Sequence, residues 1–573
     1  MKLLVWLMVL LVCILLPGRV AAQGAQQIVI EQSDEFSYSG SAGVRALKGN
    51  VRLRHNRTVL YCDSALMFDG GRQARAYGRV RIVEPGENLL VRCRYLEYDA
   101  ETGSARLYQD VVLSDDVLRL YSPELTYNTS KRVVNYTQGA RMEDGSARLS
   151  SRLGRYAVES GEMIFNREVK LEDDSLTLST DSLRYNRKWG RLYFVAPTHF
   201  VIQGTDVETS GGWHEMRTRI SHLYPFCRVQ HYDHHFLWSD SLYFDQNRGL
   251  GTANGRVQWI DTLWKIEIRA NHVQFDRTRA FYKAWGDPLL RSFGGGEGDS
   301  LQGRRSTQSS SWVPDTLSLT ADTLMAMRVS SRTNIADKFS ENSKAGIDTS
   351  WLFKSWGRVA GQSRDAQLSC DSLVYLQSDS LALLMGTPLL WPATFQVSGP
   401  TMKFYNRGEN SGTLLLPEGG VLADRLEDSL FHQITAARMQ VSFDSGSIQY
   451  LHAVGQVLTL YHIPGEDSGY VGLNRIASDS VNIYFARQRP NRMIFLGKPE
   501  GVLWPLAQVP AGEDTVAGFE WMGKLKISVQ EQIKGVILKN PDRGGYELFS
   551  VPNQVDAVDL NGGRNLKRKS RRR

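Results

Sequence analysis

The sequence has little that would form helices or cross a membrane. Hydrophobic residues make up 42% of its 573 residues and the mean hydropathy is −0.32. After the first residues no stretch is apolar enough to cross a membrane as a helix, and extended helical periodicity is hard to find. The length exceeds one compact domain several-fold. These features argue against a helical membrane protein and favour a large β-structure.

Common catalytic motifs are also missing. The chain has neither a Gly-rich phosphate loop nor a Gly-x-Ser-x-Gly elbow. His231, His234 and His235 have a spacing that suits a metal ion, but a solvated corner is the simpler interpretation. Paired carboxylates would serve a glycosidase, although acidic residues at strand ends are more simply turn formers. We therefore expect no enzyme activity, no metal and no cofactor.

Cysteine is scarce, with five residues, and Cys13 lies in the N-terminal apolar run. The other four are Cys62, Cys93, Cys227 and Cys370. In an oxidising compartment Cys62 and Cys93 would be able to pair if the strand register allowed it. Free buried cysteines are the equal alternative.

The net charge of +7 comes from one end of the chain. The tail from Arg564 to Arg573 holds seven basic residues, and the remainder is close to neutral. We expect either a solubilising tail or a flexible contact with anionic lipid. Because the chain is predicted to be exported, we expect no nucleic-acid partner.

The N-terminus predicts that export. Lys2 precedes an apolar run from Leu3 to Leu16, and Val20-Ala21-Ala22 supplies small residues for cleavage. This pattern is typical of a secretory signal peptide over residues 1–22, and the run is too short to span a bilayer.

The most frequent phrase in the chain is an aliphatic residue, any residue, an aromatic residue and then Asp or Asn. Residues i and i+2 of an extended chain share a face, so each copy predicts a strand with two apolar groups on one side and a turn at its end. The first copies are about 30 residues apart, which is typical of stacked repeats. The copies begin at Leu66, Leu96, Leu125, Met163, Leu183, Leu242 and Val273.

A second phrase, Gly-x-Val or Gly-x-Pro, opens strands such as Gly49-Asn50-Val51-Arg52-Leu53. Here Val51 and Leu53 alternate with Arg52, which predicts one buried face and one wet face. Asp-Ser or Asp-Thr pairs, as at Asp240 and Asp371, are predicted at corners between strands.

Composition suggests five segments. We predict a signal peptide (1–22), a first β-repeat region (23–290), a Gly-rich and Ser-rich linker (291–314), a second, divergent β-repeat region (315–510) and a C-terminal region with the basic tail (511–573).

The repeated phrases resemble the OstA-like family, which includes periplasmic LptA and the N-terminal domain of LptD. The resemblance is good over roughly residues 25–290 and thinner to about residue 510. It rests on a signal peptide followed by Leu47-Lys48-Gly49-Asn50-Val51-Arg52-Leu53, Leu60-Tyr61-Cys62-Asp63-Ser64-Ala65-Leu66-Met67-Phe68-Asp69 and Ala74-Arg75-Ala76-Tyr77-Gly78-Arg79-Val80.

The resemblance implies an all-β fold of antiparallel strands stacked as a twisted, open, solenoid-like β-jellyroll, with several units in tandem. It also implies a carrier that shields lipopolysaccharide acyl chains in the periplasm or near the outer membrane. The implied partners are lipopolysaccharide and LptC-like and LptD-like jellyrolls bound end to end, or a second copy of the chain. End contacts are expected near Ile28-Val29-Ile30. The implied lipid-binding lining is Leu66, Phe68, Leu96, Tyr98, Leu125, Tyr127, Leu183, Tyr185, Leu242 and Phe244.

Two other function classes remain open. A cell-envelope scaffold would have the same strands around a closed, filled core. A polysaccharide-active β-helix would use paired carboxylates on its surface.

Overall fold

The computed structural model describes residues 27–41, 43–85, 88–232, 234–263, 265–292, 317–330, 349–408, 411–427, 429–444, 447–465 and 469–539. The predicted signal peptide and basic tail lie outside the described residues, as does most of the predicted linker.

The described residues form 42 strands in one continuous antiparallel ladder. The strands up to residue 128 are β1 (Val29–Gln32), β2 (Glu35–Ser39), β3 (Val44–His55), β4 (Thr58–Phe68), β5 (Gln73–Val83), β6 (Leu90–Asp99), β7 (Ser104–Ser114) and β8 (Leu118–Asn128). The next are β9 (Val133–Tyr136), β10 (Ala140–Asp144), β11 (Ala147–Ser151), β12 (Leu153–Ala157), β13 (Glu162–Glu172), β14 (Leu176–Asn186), β15 (Arg191–Phe194) and β16 (Thr198–Ile202).

The ladder continues through the middle of the chain. Its strands there are β17 (Thr205–Thr209), β18 (Gly212–Glu215), β19 (Ile220–Leu223), β20 (Cys227–His231), β21 (His235–Ser239), β22 (Ser241–Asp245), β23 (Leu250–Asp261), β24 (Ile266–Asp276), β25 (Phe281–Trp285) and β26 (Leu289–Ser292). After the predicted linker come β27 (Leu317–Thr320), β28 (Thr323–Ser330), β29 (Thr349–Gln362), β30 (Ala366–Leu376), β31 (Leu381–Met385), β32 (Leu389–Pro392) and β33 (Phe395–Ser398). Because β26 pairs with β27, the ladder is continuous between the two predicted repeat regions.

The last strands end at residue 505. They are β34 (Thr401–Gly408), β35 (Ser411–Leu416), β36 (Gly420–Arg425), β37 (Phe431–Ala436), β38 (Arg438–Asp444), β39 (Ser447–Pro464), β40 (Tyr470–Ala486), β41 (Arg489–Leu496) and β42 (Glu500–Pro505). Short 3-10 turns cover Asp69–Gly71 and Leu506–Gln508, and one helix, α1, covers Gly523–Lys539. Among the described residues no helix is long and apolar enough to cross a membrane. The predicted all-β fold of stacked antiparallel strands is confirmed, and α1 is an element that the sequence patterns did not predict.

Many long strands bend once, at a β-bulge. In β5, for example, the register with β6 shifts between Tyr77 and Val80. We call the half of the ladder that contains Leu96 and Tyr98 half A, and the half that contains Val91 half B. The bulges, which we call corners, connect the two halves. The apolar faces of the two halves are turned toward each other. A single cluster of buried residues fills the space between them from Ile28 to Phe485.

The corners explain the Gly-x-Val and Asp-Ser phrases. Gly78 and Arg79 both have positive φ, which an ordinary residue at position 78 would adopt only with strain. A Cβ atom at Gly78 would also overlap the Asp63 carboxylate on the neighbouring strand. That carboxylate accepts a hydrogen bond from Arg79 Nε at 3.0 Å. Gly255 lies against Asp240 and Gly386 against Asp371 in the same way, which confirms the predicted corner role of these two residues, although Asp371 lies within β30 and not between two strands.

After β42 the chain turns back over the outer face of half B. We call residues 506–539 the C-terminal strap. Glu513 pairs with Arg475 at 2.9 Å, and the backbone N–H of Val516 donates to Gln433 Oε1 at 2.9 Å. Further back, Lys539 at the end of α1 pairs with Asp287 at 2.9 Å.

The helix of the strap is held by apolar contacts. Val529 and Ile533 of α1 pack against Ala360 and Trp391 on the outer face of half B, and all four are almost fully buried. The N–H of Met522, just before α1, donates to Gln396 Oε1 at 2.8 Å.

Candidate functional site

The interior of half A is built from two parallel rows of side chains. The first row runs by direct strand pairing from Tyr98 through Tyr127 and Tyr185 to Phe244. The second row lies two residues earlier in the same strands, on the same face. It contains Leu96, Leu125, Leu183 and Leu242, which are buried. Eight of the ten predicted lining residues are therefore brought together in one interior.

Leu66 and Phe68 are not part of that interior. Leu66 pairs with Arg75 and Phe68 with Gln73, so both lie on the outer face of half A, where Arg75 stacks over the Phe68 ring. The interior residues of β4 are instead Ala65 and Met67, each 1% exposed. The placement of these two predicted residues in the interior was wrong because β4 reaches its turn one residue earlier than β6.

The sequence contained a signal for the correct register. Cys62 and Cys93 hold the same place before successive corners, since Cys62 pairs with Val51 and Cys93 with Val80. Aligning the two cysteines places Ala65, not Leu66, in line with Leu96. The aliphatic and aromatic spacing alone could not detect this shift, because Leu-x-Phe and Ala-x-Met overlap in the same strand.

Half B supplies the opposite wall, which the predicted lining left out. A row on its inner face includes Leu53, Leu113, Leu149 and Phe200, all nearly fully buried. Its sequence signal is the Gly-x-Val alternation, which correctly predicted Val51 and Leu53 as buried.

The two halves also meet along the edge opposite the corners, which we call the seam. At the N-terminal end the backbone N–H of Ile28 donates to the Gly71 carbonyl at 2.9 Å, and farther along the halves are joined by side chains. His55 Nδ1 lies 2.6 Å from the Tyr98 hydroxyl, and Tyr127 donates its hydroxyl proton to Glu84 Oε1 at 2.5 Å. Burial is the largest cause of the raised pKa of Tyr127, so the hydroxyl remains a donor.

Farther along the seam Arg187 joins two strand ends. It donates to Asp115 at 2.5 Å and to Asp144 at 3.2 Å, and Tyr185 donates to Asp144 at 3.2 Å. Burial opposes ionisation of Asp115, but the bonds from Arg187 and from backbone N–H groups outweigh it, so the pKa of Asp115 is lowered. The seam is thus closed by a line of polar contacts.

The Asp or Asn of several repeated phrases caps the hairpin beside the seam, whereas Asn166 lies at the β-bulge of β13. Asp99 Oδ1 accepts from the N–H of Thr102 at 2.9 Å, and Asn128 Oδ1 accepts from the N–H of Lys131 at 2.7 Å. The predicted turn-forming role of these residues is confirmed.

The interior widens between residues 200 and 282. A cavity of about 330 Å³ lies there, with Phe200, Phe244 and Phe275 in its walls. Near Tyr98, by contrast, the free volume between the halves is about 10 Å³.

The polar residues around this wide cavity include His231 and Arg277. Arg277 Nη2 lies 2.7 Å from His231 Nε2, and Thr205 Oγ1 lies 2.7 Å from His231 Nδ1. Burial, with the charge of Arg277, lowers the pKa of His231 to about 4. The imidazole is therefore neutral at pH 7 and accepts from the guanidinium.

The described cysteines and histidines form neither a disulfide nor a metal-type cluster. Cys62, Cys93, Cys227 and Cys370 are buried thiols that form no disulfide in the described part of the chain, and burial raises the pKa of Cys62 to about 12. Cys62 and Cys93 are separated by β5, and two strand spacings of about 4.8 Å exceed the reach of a disulfide. In the part of the chain that the structure describes, no His, Cys, Asp or Glu group is arranged for a metal ion, and Asp233 lies outside that part.

The family comparison coincides with the closed part of the seam. Residues 25–181 match the model of OstA-like proteins. The resemblance seen in the sequence is confirmed over this OstA-like region, which covers β1 to β13 and most of β14. It contains the contacts of Tyr98 and Tyr127, whereas the wide cavity lies beyond it.

A structural comparison gives a weaker likeness. LptH from Pseudomonas aeruginosa, described as the LptA homologous periplasmic component of the lipopolysaccharide transport device, is 15% identical to the chain and has a TM-score of 0.18. The match covers 19% of this chain and 81% of LptH. No curated protein matches the chain.

Proposed function

We propose that this protein is a periplasmic carrier that shields lipopolysaccharide acyl chains between its two β-halves during transport to the outer membrane. The main support is that an apolar interior runs along the ladder and is closed along the seam by side-chain contacts. The OstA-like match of residues 25–181 supports the same assignment.

The energies fit an interior that opens to admit a chain. A net hydrogen bond such as the one from Tyr127 to Glu84 contributes about 1 kcal/mol. Removing one methylene from water is favourable by about 0.8 kcal/mol, so a dozen methylenes give roughly 10 kcal/mol. An acyl chain can therefore offset the loss of several seam contacts.

The proposed carrier acts with other jellyroll proteins and is not an enzyme. LptC-like and LptD-like partners, or a second copy, would bind at the two ends of the ladder, where strand edges are unpaired in the described residues. Lipopolysaccharide would pass along the interior from one partner to the next.

A structural scaffold is the second candidate. It is favoured by the close packing near the N-terminus, where Leu96, Leu125 and Tyr127 have no solvent exposure. In this alternative the seam never opens and the interior holds protein side chains only.

Photo-crosslinking in intact cells separates the two candidates. A photoreactive residue in place of Tyr98 or Phe244 is expected to capture lipopolysaccharide, because both positions face the interior. The same residue in place of Tyr121, which lies on the outer face beneath Arg141, is the matched control. Absence of lipopolysaccharide at both interior positions, in protein that is folded and exported, would support the scaffold instead.

A further inference from the structure

The seam changes its chemistry where the interior widens. Strands of half B end at the seam with an inward polar residue about every 29 residues, and the residues at these ends are His55, Glu84, Asp115, Asp144 and Asp173. The next two ends carry Ile202 and His231 instead of a carboxylate.

The facing row of half A changes at the same place. Tyr98, Tyr127 and Tyr185 use their hydroxyls to cross the seam, but Phe244 and Phe275 have none. Between residues 202 and 277 the carboxylate and tyrosine bridges are therefore replaced by the hydrogen bond from Arg277 to His231. The wide cavity lies directly behind this gap.

Arg277 is left without a carboxylate at the gap. It follows Phe275 by two residues, just as Arg187 follows Tyr185. Arg187 is bound by Asp115 and Asp144, whereas the side chain of Arg277 contacts His231 and the Phe244 ring. The side chain of Arg277 therefore makes no ion pair with a carboxylate in the described part of the chain.

We propose that the seam between residues 202 and 277 is a lateral port, through which an acyl chain enters the cavity while Arg277 binds the phosphate of its headgroup. The inference rests on the proposed function and specifies the entry site of the lipid. An apolar cavity of about 150 Å³ accommodates a benzene-sized molecule, so about 330 Å³ has space for an alkyl segment.

An unsatisfied polar group also faces the cavity. Gln246 Oε1 is buried without a hydrogen-bond partner and belongs to the cavity lining. An acceptor of this kind fits a hydroxyl or amide N–H next to the headgroup phosphate, because a buried oxygen left unpaired costs about 1 to 3 kcal/mol. Cation, acceptor and apolar cavity together fit an anionic amphiphile.

Two lipids that differ only in the phosphate test the role of Arg277. The full-length protein and its variants are titrated with dioctanoyl phosphatidic acid and with dioctanoylglycerol. Arg277→Ala is expected to weaken binding of the phosphatidic acid about tenfold and to leave the diacylglycerol unchanged, since one charged hydrogen-bonding partner is lost. Arg279→Ala, an exposed arginine in the same turn, is the control and should change neither affinity.

Several results would overturn the port. These are equal behaviour of the Arg277→Ala and Arg279→Ala variants, equal weakening for both lipids, or inorganic phosphate that binds as tightly as the phosphatidic acid. The last result would indicate an anion site that needs no acyl chain.

A closing variant tests entry itself. His231→Asp combined with Phe275→Tyr restores a carboxylate and a hydroxyl at the gap, and lipopolysaccharide capture by a probe at Phe244 should then fall several-fold. Undiminished capture in the folded variant would contradict the port.

The port and the proposed function can fail separately. If lipopolysaccharide is captured at Tyr98 and Phe244 but Arg277→Ala has no effect, only the port is wrong. If phosphatidic acid binding depends on Arg277 but lipopolysaccharide is never captured, the port stands for another anionic lipid and the proposed function is wrong.

Discussion

Three residues of the repeated phrase have distinct positions in the structure. In Leu96-Glu97-Tyr98-Asp99, Leu96 lies deep between the halves, Tyr98 places its ring in the interior and its hydroxyl at the seam, and Asp99 caps the hairpin. A tyrosine suits this position because its apolar ring is buried while its polar end finds a partner. The phrase therefore encodes both the packing and the closure of one repeat.

The Arg187 cluster gives the seam a dependence on pH. The pKa of Asp115 is lowered below its ordinary value of 3.8, so its contribution to stability is complete above that value and is lost as the pH falls through the lowered pKa. Arg187→Gln should reduce the free energy of unfolding by about 3 kcal/mol at pH 7, because it leaves two partly buried carboxylates unpaired. The difference from wild type should shrink below pH 4.

Urea unfolding at several pH values measures this effect. The control is Arg152→Gln, since Arg152 and Glu168 form an exposed pair of the same type with little expected influence. A deficit for Arg187→Gln that is the same at pH 3 and pH 7 would show that its cause is not the ion pair.

At the residue scale, the sequence predicts which residues of a strand share a face better than it predicts where that strand begins. The interior-facing orientation of Leu96 and Tyr98 was predicted correctly because period-two alternation is a local property. Leu66 and Phe68 were placed on the wrong face because a register shift of one residue moves every side chain of a strand to the opposite face. The change at Ile202 and His231 could not be predicted, because it depends on which strand ends of the two halves face each other in the folded protein.

At the scale of elements, the corners were predictable and the strap was not. A corner needs a residue with positive φ and without a side chain, because a carboxylate on the neighbouring strand fills the space that a Cβ atom would occupy. Gly78 beside Asp63 meets both requirements, and both residue types can be recognised in the sequence. The strap depends on contacts between residues far apart in the chain, such as Gln433 with Val516. Such contacts leave no periodic signal.

Two neighbouring residues of α1 test how the strap is held. Val529 is 2% exposed and Ile527 is 57% exposed. Val529→Asp should detach the helix from half B, at a cost of several kcal/mol for burying an unpaired charge, and should expose Trp391. Ile527→Asp introduces the same charge without this effect.

Tryptophan accessibility provides the measurement. Acrylamide should quench the tryptophan fluorescence of the Val529→Asp protein more strongly than that of the wild type. This difference should disappear when Trp391 is also replaced by Phe. Equal quenching in the two aspartate variants would contradict the proposed docking of the helix.

At the scale of the molecule, the described ladder has an edge at each end. β1 and β2 pair only with β3, and β41 and β42 pair only with β40, among the described strands. Large apolar side chains are exposed on these strands, including Phe36 at 58% and Leu503 at 59%. Unpaired edges with apolar side chains favour the addition of strands from another jellyroll.

Charges on the first edge should prevent end-to-end association. We expect Phe36→Lys with Tyr38→Lys to lower the sedimentation coefficient of a self-associated sample to that of the monomer and to abolish pull-down of LptC-like partners. Tyr232→Lys changes an equally exposed tyrosine away from the ends and serves as the control. Unchanged association of the double variant would exclude this edge as the contact surface.

The C-terminal strap should change how cooperatively the protein unfolds. A ladder whose strands touch only their neighbours loses structure stepwise from its ends, like a one-dimensional array. The strap links Lys539 to Asp287, 252 residues earlier, so β42 cannot fray without breaking contacts in the middle of the chain. The portion from Asp287 onward should therefore unfold as one cooperative block, whereas the strands before it are free to unfold one after another from β1. In the Val529→Asp variant, where α1 is detached, the strands after Asp287 should also unfold stepwise, starting from β42.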